Sequence, residues 1–336
     1  MCIRDRWYSK DIIAYPFERI SVVDHQLKFF DNKQSTKQFS EQHLRNIQAF
    51  GRGTTQLLSS LRIGVVGCSG TGSPLIEALT RLGVGELILI DPDKVEHKNL
   101  NRIINTTIED AEQSRLKTQI LKEAILKMGF DTKVFTYATN IYDDIQALKA
   151  LSTCDVLFGC VDSIDGRHLL NRLASFYSLP YFDLGVKLIA DGQGSIDDIS
   201  TAVHYLLPGQ SLVQRKVYTL KQLSAADLKR SSPEMYQEQL EVNYVENADV
   251  QEPAVISVNM RAASDAVNEL LDKLHHLRTY EESVENAVVK SSILNTFSYG
   301  AAFNGVDEHL ESLIGKGDIE PFLGRIIFSS PKEIEV

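Results

Sequence analysis

Arg62-Ile-Gly-Val-Val-Gly67-Cys-Ser-Gly70-Thr-Gly72-Ser73 decides how this chain folds. An apolar run that stops on a glycine reads as a strand buried on both faces, as in a parallel sheet. From Ser73 to Leu82 a helix follows, with Leu75, Ile76, Leu79 and Leu82 on one face. Between them Gly67, Gly70 and Gly72 make a G-x-x-G-x-G turn, a slight offset from the dinucleotide-binding G-x-G-x-x-G. The physical demand is the same, because glycines let backbone N–H groups and a helix N-terminus approach phosphate oxygens. Leu87-Ile-Leu-Ile90 is the next strand and stops at Asp91, 19 residues past Gly72, where a carboxylate can bind ribose hydroxyls. A glycine turn can also serve helix–sheet packing alone. The strand before, the helix after and the acid at this distance favour nucleotide binding.

Reading outward, the alternation continues. Leu116, Ile120, Leu121, Ala124, Ile125 and Met128 mark an amphipathic helix closed by Gly129, and Val134–Tyr137 is a strand. A short helix over Ile145–Leu151 precedes the strand Val156–Phe158, a helix around His168–Tyr177 and the strand Pro180–Leu184. Strands alternating with helices predict an α/β fold, a Rossmann-like, doubly wound, mostly parallel sheet. Gly192-Gln-Gly194 reads as a turn and Thr201–Leu207 as a late, antiparallel strand. Residues 208–253 are polar with weak pattern and read as an inserted, crossover-type excursion; Val255–Leu277 returns as a helix. Before the sheet, Leu44, Ile47, Leu57 and Leu58 suggest helical turns broken at Gly51 and Gly53. The expected organisation is therefore 1–39 as an N-terminal arm or remnant of a preceding domain, 40–280 as the main domain and 281–336 as a C-terminal extension. Met1-Cys-Ile-Arg-Asp-Arg6 joins abruptly onto the residues after it and reads as an assembly or cloning scar on a shortened N-terminus.

Composition excludes several function classes. The 336 residues are 43% hydrophobic and 24% charged, with a mean hydropathy of −0.14, which is ordinary globular composition. Thirty-five Lys+Arg against 45 Asp+Glu leave a net charge of −10, so no electrostatic reason exists to bind nucleic acid or an anionic membrane. No apolar run approaches the roughly 18 residues of a membrane span, and no signal-peptide core opens the chain. Cys2, Cys68, Cys154 and Cys160 form neither a C-x-x-C pair nor a disulfide spacing, and the expectation is a reduced, cytoplasmic protein.

The half of the chain after the glycine turn carries more than a dehydrogenase would use. Asp91-Pro-Asp93 runs into Asn99-Leu-Asn-Arg102, Lys117 sits on the following helix, and Asp162 follows the strand Val156–Phe158. These carboxylates and cations fall at the C-terminal ends of strands, where open α/β sheets bind ligands. Nicotinamide has no use for such a set; a triphosphate cleaved between its α- and β-phosphates does, since it needs a carboxylate-held metal and cations on the departing pyrophosphate. For either cation taken alone, solvated surface charge is the better reading.

Together, Gly67–Ser73, Asp91-x-Asp93-x-Val95, Asn99-Leu-Asn-Arg102, Lys117 and Cys160-Val-Asp162 resemble the ThiF/MoeB/HesA superfamily, bacterial relatives of ubiquitin-activating enzymes. Leu44-Arg45 with Phe50-Gly51 resembles the arginine-containing entry helix found there. The resemblance implies MgATP-dependent adenylation of the C-terminal glycine carboxylate of a ubiquitin-like protein, with release of pyrophosphate. On that implication Gly67, Gly70 and Gly72 cradle the nucleotide and Asp91 holds the ribose, with Asp93 beside it. Asn99, Arg102 and Lys117 contact the phosphates, and Asp162 binds Mg²⁺. Arg45 reaches the partner subunit's ATP in a homodimer. The attacking carboxylate is already a nucleophile, so alignment and charge stabilisation suffice without a general base.

Two departures from the family pattern matter. Its paired C-x-x-C motifs are missing, since no cysteine lies beyond Cys160, so no zinc is expected. The same absence removes a thioester cysteine from residues 208–253 and leaves Ser211 as the most plausible alternative nucleophile there, with Ser224, Ser231 and Ser232 behind it. Direct transfer of the adenylate is favoured over a serine oxyester. The competing readings are activation of a peptide or of a sulfur-carrier protein, and a non-enzymatic dimeric pseudo-activator scaffold; an NAD-dependent oxidoreductase is disfavoured by the cations. A conjugating enzyme or a JAB-type peptidase is an expected further partner.

Overall fold

The computed structural model describes residues 2–4, 19–31, 38–241, 255–293, 297–301 and 305–328. Among them β1 (Cys2–Arg4), β2 (Arg19–Val23) and β3 (Leu27–Asp31) form a small antiparallel sheet. The expected N-terminal arm thus contains strands, and they are anchored. Val23 and Leu27 enter the core, Arg19 pairs with Asp155, and the Tyr205 hydroxyl donates to the Asp24 carbonyl at 2.6 Å. Helix α1 (Leu44–Ser60) comes next as one element kinked at Gly51, whose φ of 83° is open to glycine and strained for other residues.

The main sheet is built from β4 (Arg62–Val66), β5 (Glu86–Ile90), β6 (Lys133–Tyr137), β7 (Val156–Gly159), β8 (Tyr181–Ala190), β9 (Ile196–Leu206), β10 (Val288–Ser292) and β11 (Phe297–Ala301). Their order is β11-β10-β9-β8-β7-β4-β5-β6, parallel from β8 through β6 and antiparallel from β8 to β11. Sequence-consecutive strands turn opposite ways at β4 and β7, and such a reversal opens a crevice at the C-terminal strand ends. The last two strands come from the segment beyond residue 280.

Helices cover both faces, as the hydrophobic runs of the parallel strands require. On one face α2 (Gly72–Arg81), α4 (Lys117–Met128) and α9 (Ile256–His275) pack on β4, β5 and β8 through Leu75, Leu79, Leu121, Ala266 and Leu270. On the other, α5 (Ile145–Ser152) and α6 (Ile164–Phe176) bury Leu148, Leu169 and Leu173. The remaining helices are α3 (Ile108–Glu112), α7 (Leu220–Ser231), α8 (Pro233–Glu241), α10 (Tyr280–Glu285) and α11 (Glu308–Glu311). Gly129 closes α4 in the left-handed conformation, as its position in the pattern predicts.

Two expectations change. Polar residues 208–253 are not irregular throughout, because α7 and α8 occupy much of that stretch; residues 242–253 lie outside the described set. Thr219 and Gln222 form a capping box that starts α7, a local signal the polar composition masked. The strands Pro180–Leu184 and Thr201–Leu207 are also longer than their apolar runs. The β8–β9 hairpin continues past β7, whose last paired residue, Gly159, faces Asp183. That overhang is half-solvated, so it lacks the continuous apolar run of a buried strand.

Candidate functional site

The site is assembled at the C-terminal ends of β4, β5 and β7. Gly67 leaves β4 with φ 92° and donates its N–H to the Ile90 carbonyl at 2.8 Å, tying the glycine turn to the end of β5. On the other side the Cys160 N–H donates to the Val66 carbonyl at 2.7 Å, so the loop carrying Asp162 begins directly beside the turn. Two glycines are required by contact. A Cβ on Gly67 would lie 2.4 Å from the Cys160 carbonyl oxygen, and one on Gly72 1.8 Å from the Gly67 carbonyl oxygen. Ser73, in the first turn of α2, accepts from the Ile104 N–H at 3.2 Å and docks the segment bearing Arg102 against the same helix.

Asp91 is buried with both carboxylate oxygens in use: one accepts the Cys68 N–H at 2.7 Å, the other the Asp93 N–H at 2.9 Å. A carboxylate oxygen has two lone pairs, so each keeps one that can accept a further donor. Burial raises the Asp91 pKa, against the opposing pull of the Lys117 ammonium and these two N–H groups. Lys117 is itself only 5% exposed; its Nζ lies 2.7 Å from Asp93 and 3.9 Å from Asp91. A lysine so deeply buried is retained only with anions around it, which fits a charge held ready at a phosphate site. Asp93 is the solvent-facing member of this trio.

The other expected phosphate contacts divide. Arg102 lies against the glycine turn: its Cδ would be 3.3 Å from a Cβ on Gly70, and its guanidinium donates to the Lys98 carbonyl at 2.8 Å. Asn99 is buried and turned inward, its side-chain oxygen accepting the Glu96 N–H at 3.0 Å in a reciprocal cap. Through that oxygen it shapes the turn that leads to Arg102. Asp162 is exposed at the strand end. Behind it Arg167 donates to the Val161 carbonyl at 3.1 Å, to Asp183 at 2.5 Å and to the Leu184 carbonyl at 3.2 Å. Arg167 therefore fixes the loop that carries Asp162.

Two sequence candidates are not brought to this edge. Arg45, exposed in the first turn of α1 and bonded to Gln48, sits beside the far end of α2, where Asn46 donates to the Arg81 carbonyl at 2.8 Å. The length of α2, about 15 Å at 1.5 Å per residue, separates it from the chain's own glycine turn. Ser211 follows β9, whose last residue Leu206 pairs with Tyr181 at the start of β8. It therefore occupies the opposite edge of the parallel sheet. Ser211 is buried, donates to Asp307 at 2.5 Å and accepts the Gln214 N–H at 3.1 Å, and Asn171 clamps the flanking Gln210 and Leu212. The alternative loop nucleophile, Ser211, is a packed structural hydroxyl, and the serine route is corrected on that geometry.

Cys68, Cys154 and Cys160 are all buried, and burial pushes the thiols of Cys68 and Cys160 well up. Such thiols are poor nucleophiles at neutral pH.

No His/Cys/Asp/Glu cluster among the described residues is large enough to hold a metal by itself. Magnesium in nucleotide sites is held by one or two carboxylates together with the substrate's phosphate oxygens, and the exposed Asp162 fits that mode.

Sequence reasoning missed Asn259 of α9. The carboxamide Nδ2 of this buried residue would lie 2.4 Å from a Cβ on Gly70. The signal was a polar residue in line with the apolar stripe Ala262, Ala263, Ala266 and Leu270.

The buried histidines set a pH dependence. Burial, with Arg215, Arg167 and Lys290 adding to it, lowers the His204 pKa to about 3; burial with Arg325 and Arg172 lowers that of His168 to about 4. Both stay neutral in the fold while an unfolded histidine protonates near 6.5, so the unfolded state gains protons first as pH falls. Stability is full above about pH 7 and falls below 6.5, by up to about 1.4 kcal/mol per pH unit for each histidine. Urea midpoints from pH 7 to 4.5 should drop less steeply in His204→Asn than in the parent; equal slopes would disprove the assignment.

Strand order, glycine turn and ligand edge define a Rossmann-like α/β domain of the doubly wound type. The ThiF family profile matches residues 41–221, over half of the chain, and the protein belongs to the ThiF family. Over 179 residues the chain is 29% identical to the adenylyltransferase and sulfurtransferase UBA4 of Meyerozyma guilliermondii, a match covering 51% of this chain and 41% of that one. Over 160 residues it is 31% identical to ubiquitin-like modifier-activating enzyme 5 of Culex quinquefasciatus, covering 44% and 37%. The chain thus spans about two fifths of the length of these relatives. Among solved structures, the microcin C7 biosynthetic enzyme MccB with N-formylated MccA superposes with a TM-score of 0.62 at 18% identity, over 81% of this chain and 75% of that one. The likeness to MccB is one of fold. No described helix is long and apolar enough to cross a membrane.

Proposed function

We propose that the protein binds MgATP at the C-terminal edge of β4, β5 and β7 and adenylates the C-terminal carboxylate of a ubiquitin-like protein, releasing pyrophosphate. The observation that carries this reading is the convergence of the glycine turn, buried Asp91, buried Lys117, Arg102 and the Asp162 loop on one strand edge. Asp91 would hold the ribose. Lys117 and Arg102 would offset charge on the triphosphate, and Asp162 would bind the Mg²⁺ that shares its oxygens; the metal supplies Lewis-acid neutralisation of the leaving pyrophosphate. The chain's own contribution is alignment and charge placement, with no base needed. The name of one relative, ubiquitin-like modifier-activating enzyme 5, supports a ubiquitin-like acceptor, and that of the other supports adenylyl transfer. The buried thiols support transfer of the adenylate without a thioester on this chain.

Arg45, remote from its own glycine turn, would serve the ATP of a second copy, making the active form a homodimer. Labelled pyrophosphate exchange into ATP tests the function. Exchange should appear only with a ubiquitin-like protein ending in glycine. Exchange with a short free peptide instead would establish a peptide activator, and none with any carboxylate acceptor, despite ATP binding, a scaffold. Exchange followed by a reductant-sensitive adduct would defeat direct transfer.

A further inference from the structure

We propose that Asn259 of α9 is a further triphosphate-binding residue, its Nδ2 donating to an oxygen of the pyrophosphate end of ATP above Gly70. The proposal deepens the ATP-binding reading and rests on it.

Asn259 is 4% exposed, and its Nδ2 has no hydrogen-bond partner among the described residues. A buried N–H without an acceptor is destabilising, and alanine would complete the stripe formed by Ala262, Ala263 and Ala266 without that cost. The donor faces a place where an acceptor is expected. It lies over Gly70, in the turn that leads into the N-terminus of the ten-residue α2, and Arg102 lies against the same glycine. An unpaired amide donor, a helix N-terminus and an arginine side chain together suit an anionic oxygen.

The geometry also orients the nucleotide. The nucleoside end belongs beside Asp91, which is tied to Cys68 at the start of the turn. The phosphates then run along the turn towards Gly70, so Asn259 and Arg102 meet the β- and γ-phosphates and not the sugar. An Asn in this place adds a donor without adding charge, which holds the leaving pyrophosphate while letting it depart.

Calorimetric titration of MgATP and of AMP distinguishes this role from a packing role. The parent protein should bind both. Asn259→Ala should weaken ATP about tenfold and leave AMP within twofold. Asn259→Asp, of equal size but with an acceptor in place of the donor, should weaken ATP more than Asn259→Ala and again spare AMP. Equal weakening of ATP and AMP would overturn the proposal by showing that Asn259 merely supports the turn. Unchanged ATP affinity in Asn259→Asp would overturn it by showing that no donor is needed. A parent protein that binds neither nucleotide would refute the ATP reading itself, before any variant is compared.

Discussion

Asp162→Ala is expected to lower pyrophosphate exchange by about a hundredfold to a thousandfold, the size seen when one charge-stabilising group is removed from a transition state. The side chain is exposed in the loop after β7 and belongs to no group of three or more potential metal ligands among the described residues. Folding should be nearly unaffected, because an exposed carboxylate contributes little to stability. Excess Mg²⁺ should recover part of the activity if metal affinity is what was lost. Full exchange in Asp162→Ala would sink the metal assignment. The same variant tests the dimer: mixed with an inactive Arg45→Ala, it should regain activity in hybrids, where one site carries both defects and the other neither. No recovery after proven subunit exchange would mean that Arg45 does not act across subunits.

Gly72→Ala should be the most disruptive small substitution in the turn. Its Cβ would sit 1.8 Å from the Gly67 carbonyl oxygen, a backbone atom that cannot swing away as a side-chain end can. Relief requires the turn to open, which moves Gly67 off Ile90 and displaces the backbone proposed to cradle the nucleotide. The expected result is an ATP affinity weaker by about a hundredfold and a stability loss of about 2–4 kcal/mol, within the range of severe backbone strain. Gly53→Ala is the control, since a Cβ there meets nothing within 4 Å and its helical backbone gains from alanine. Measured side by side, nucleotide titrations and urea midpoints should separate the two; a Gly72→Ala protein that binds ATP normally would refute the cradle.

Much of this was legible because it is local. Strand and helix periods, the glycines at tight turns, the acid closing the second strand and the Gly129 cap are each settled by neighbours within a few residues. The parallel half of the sheet, with Asp91 and Asp162 at its strand ends, comes from those signals and from the right-handed crossover rule. Tertiary structure alone decided the rest, because it depends on pairings between segments distant in the chain. The antiparallel overhang of β8 to β11 takes strands from beyond residue 280, and half-exposed strands carry no continuous apolar run. The direction of β9 sends Ser211 to the edge opposite the glycine turn, a reversal invisible in a serine's local sequence. Asn99 was expected among the phosphate contacts, and only the fold shows its side-chain oxygen engaged by the Glu96 N–H. Asn259 meets Gly70 because α9 packs across α2; an asparagine in an alanine stripe signals burial, and only the fold shows what it faces.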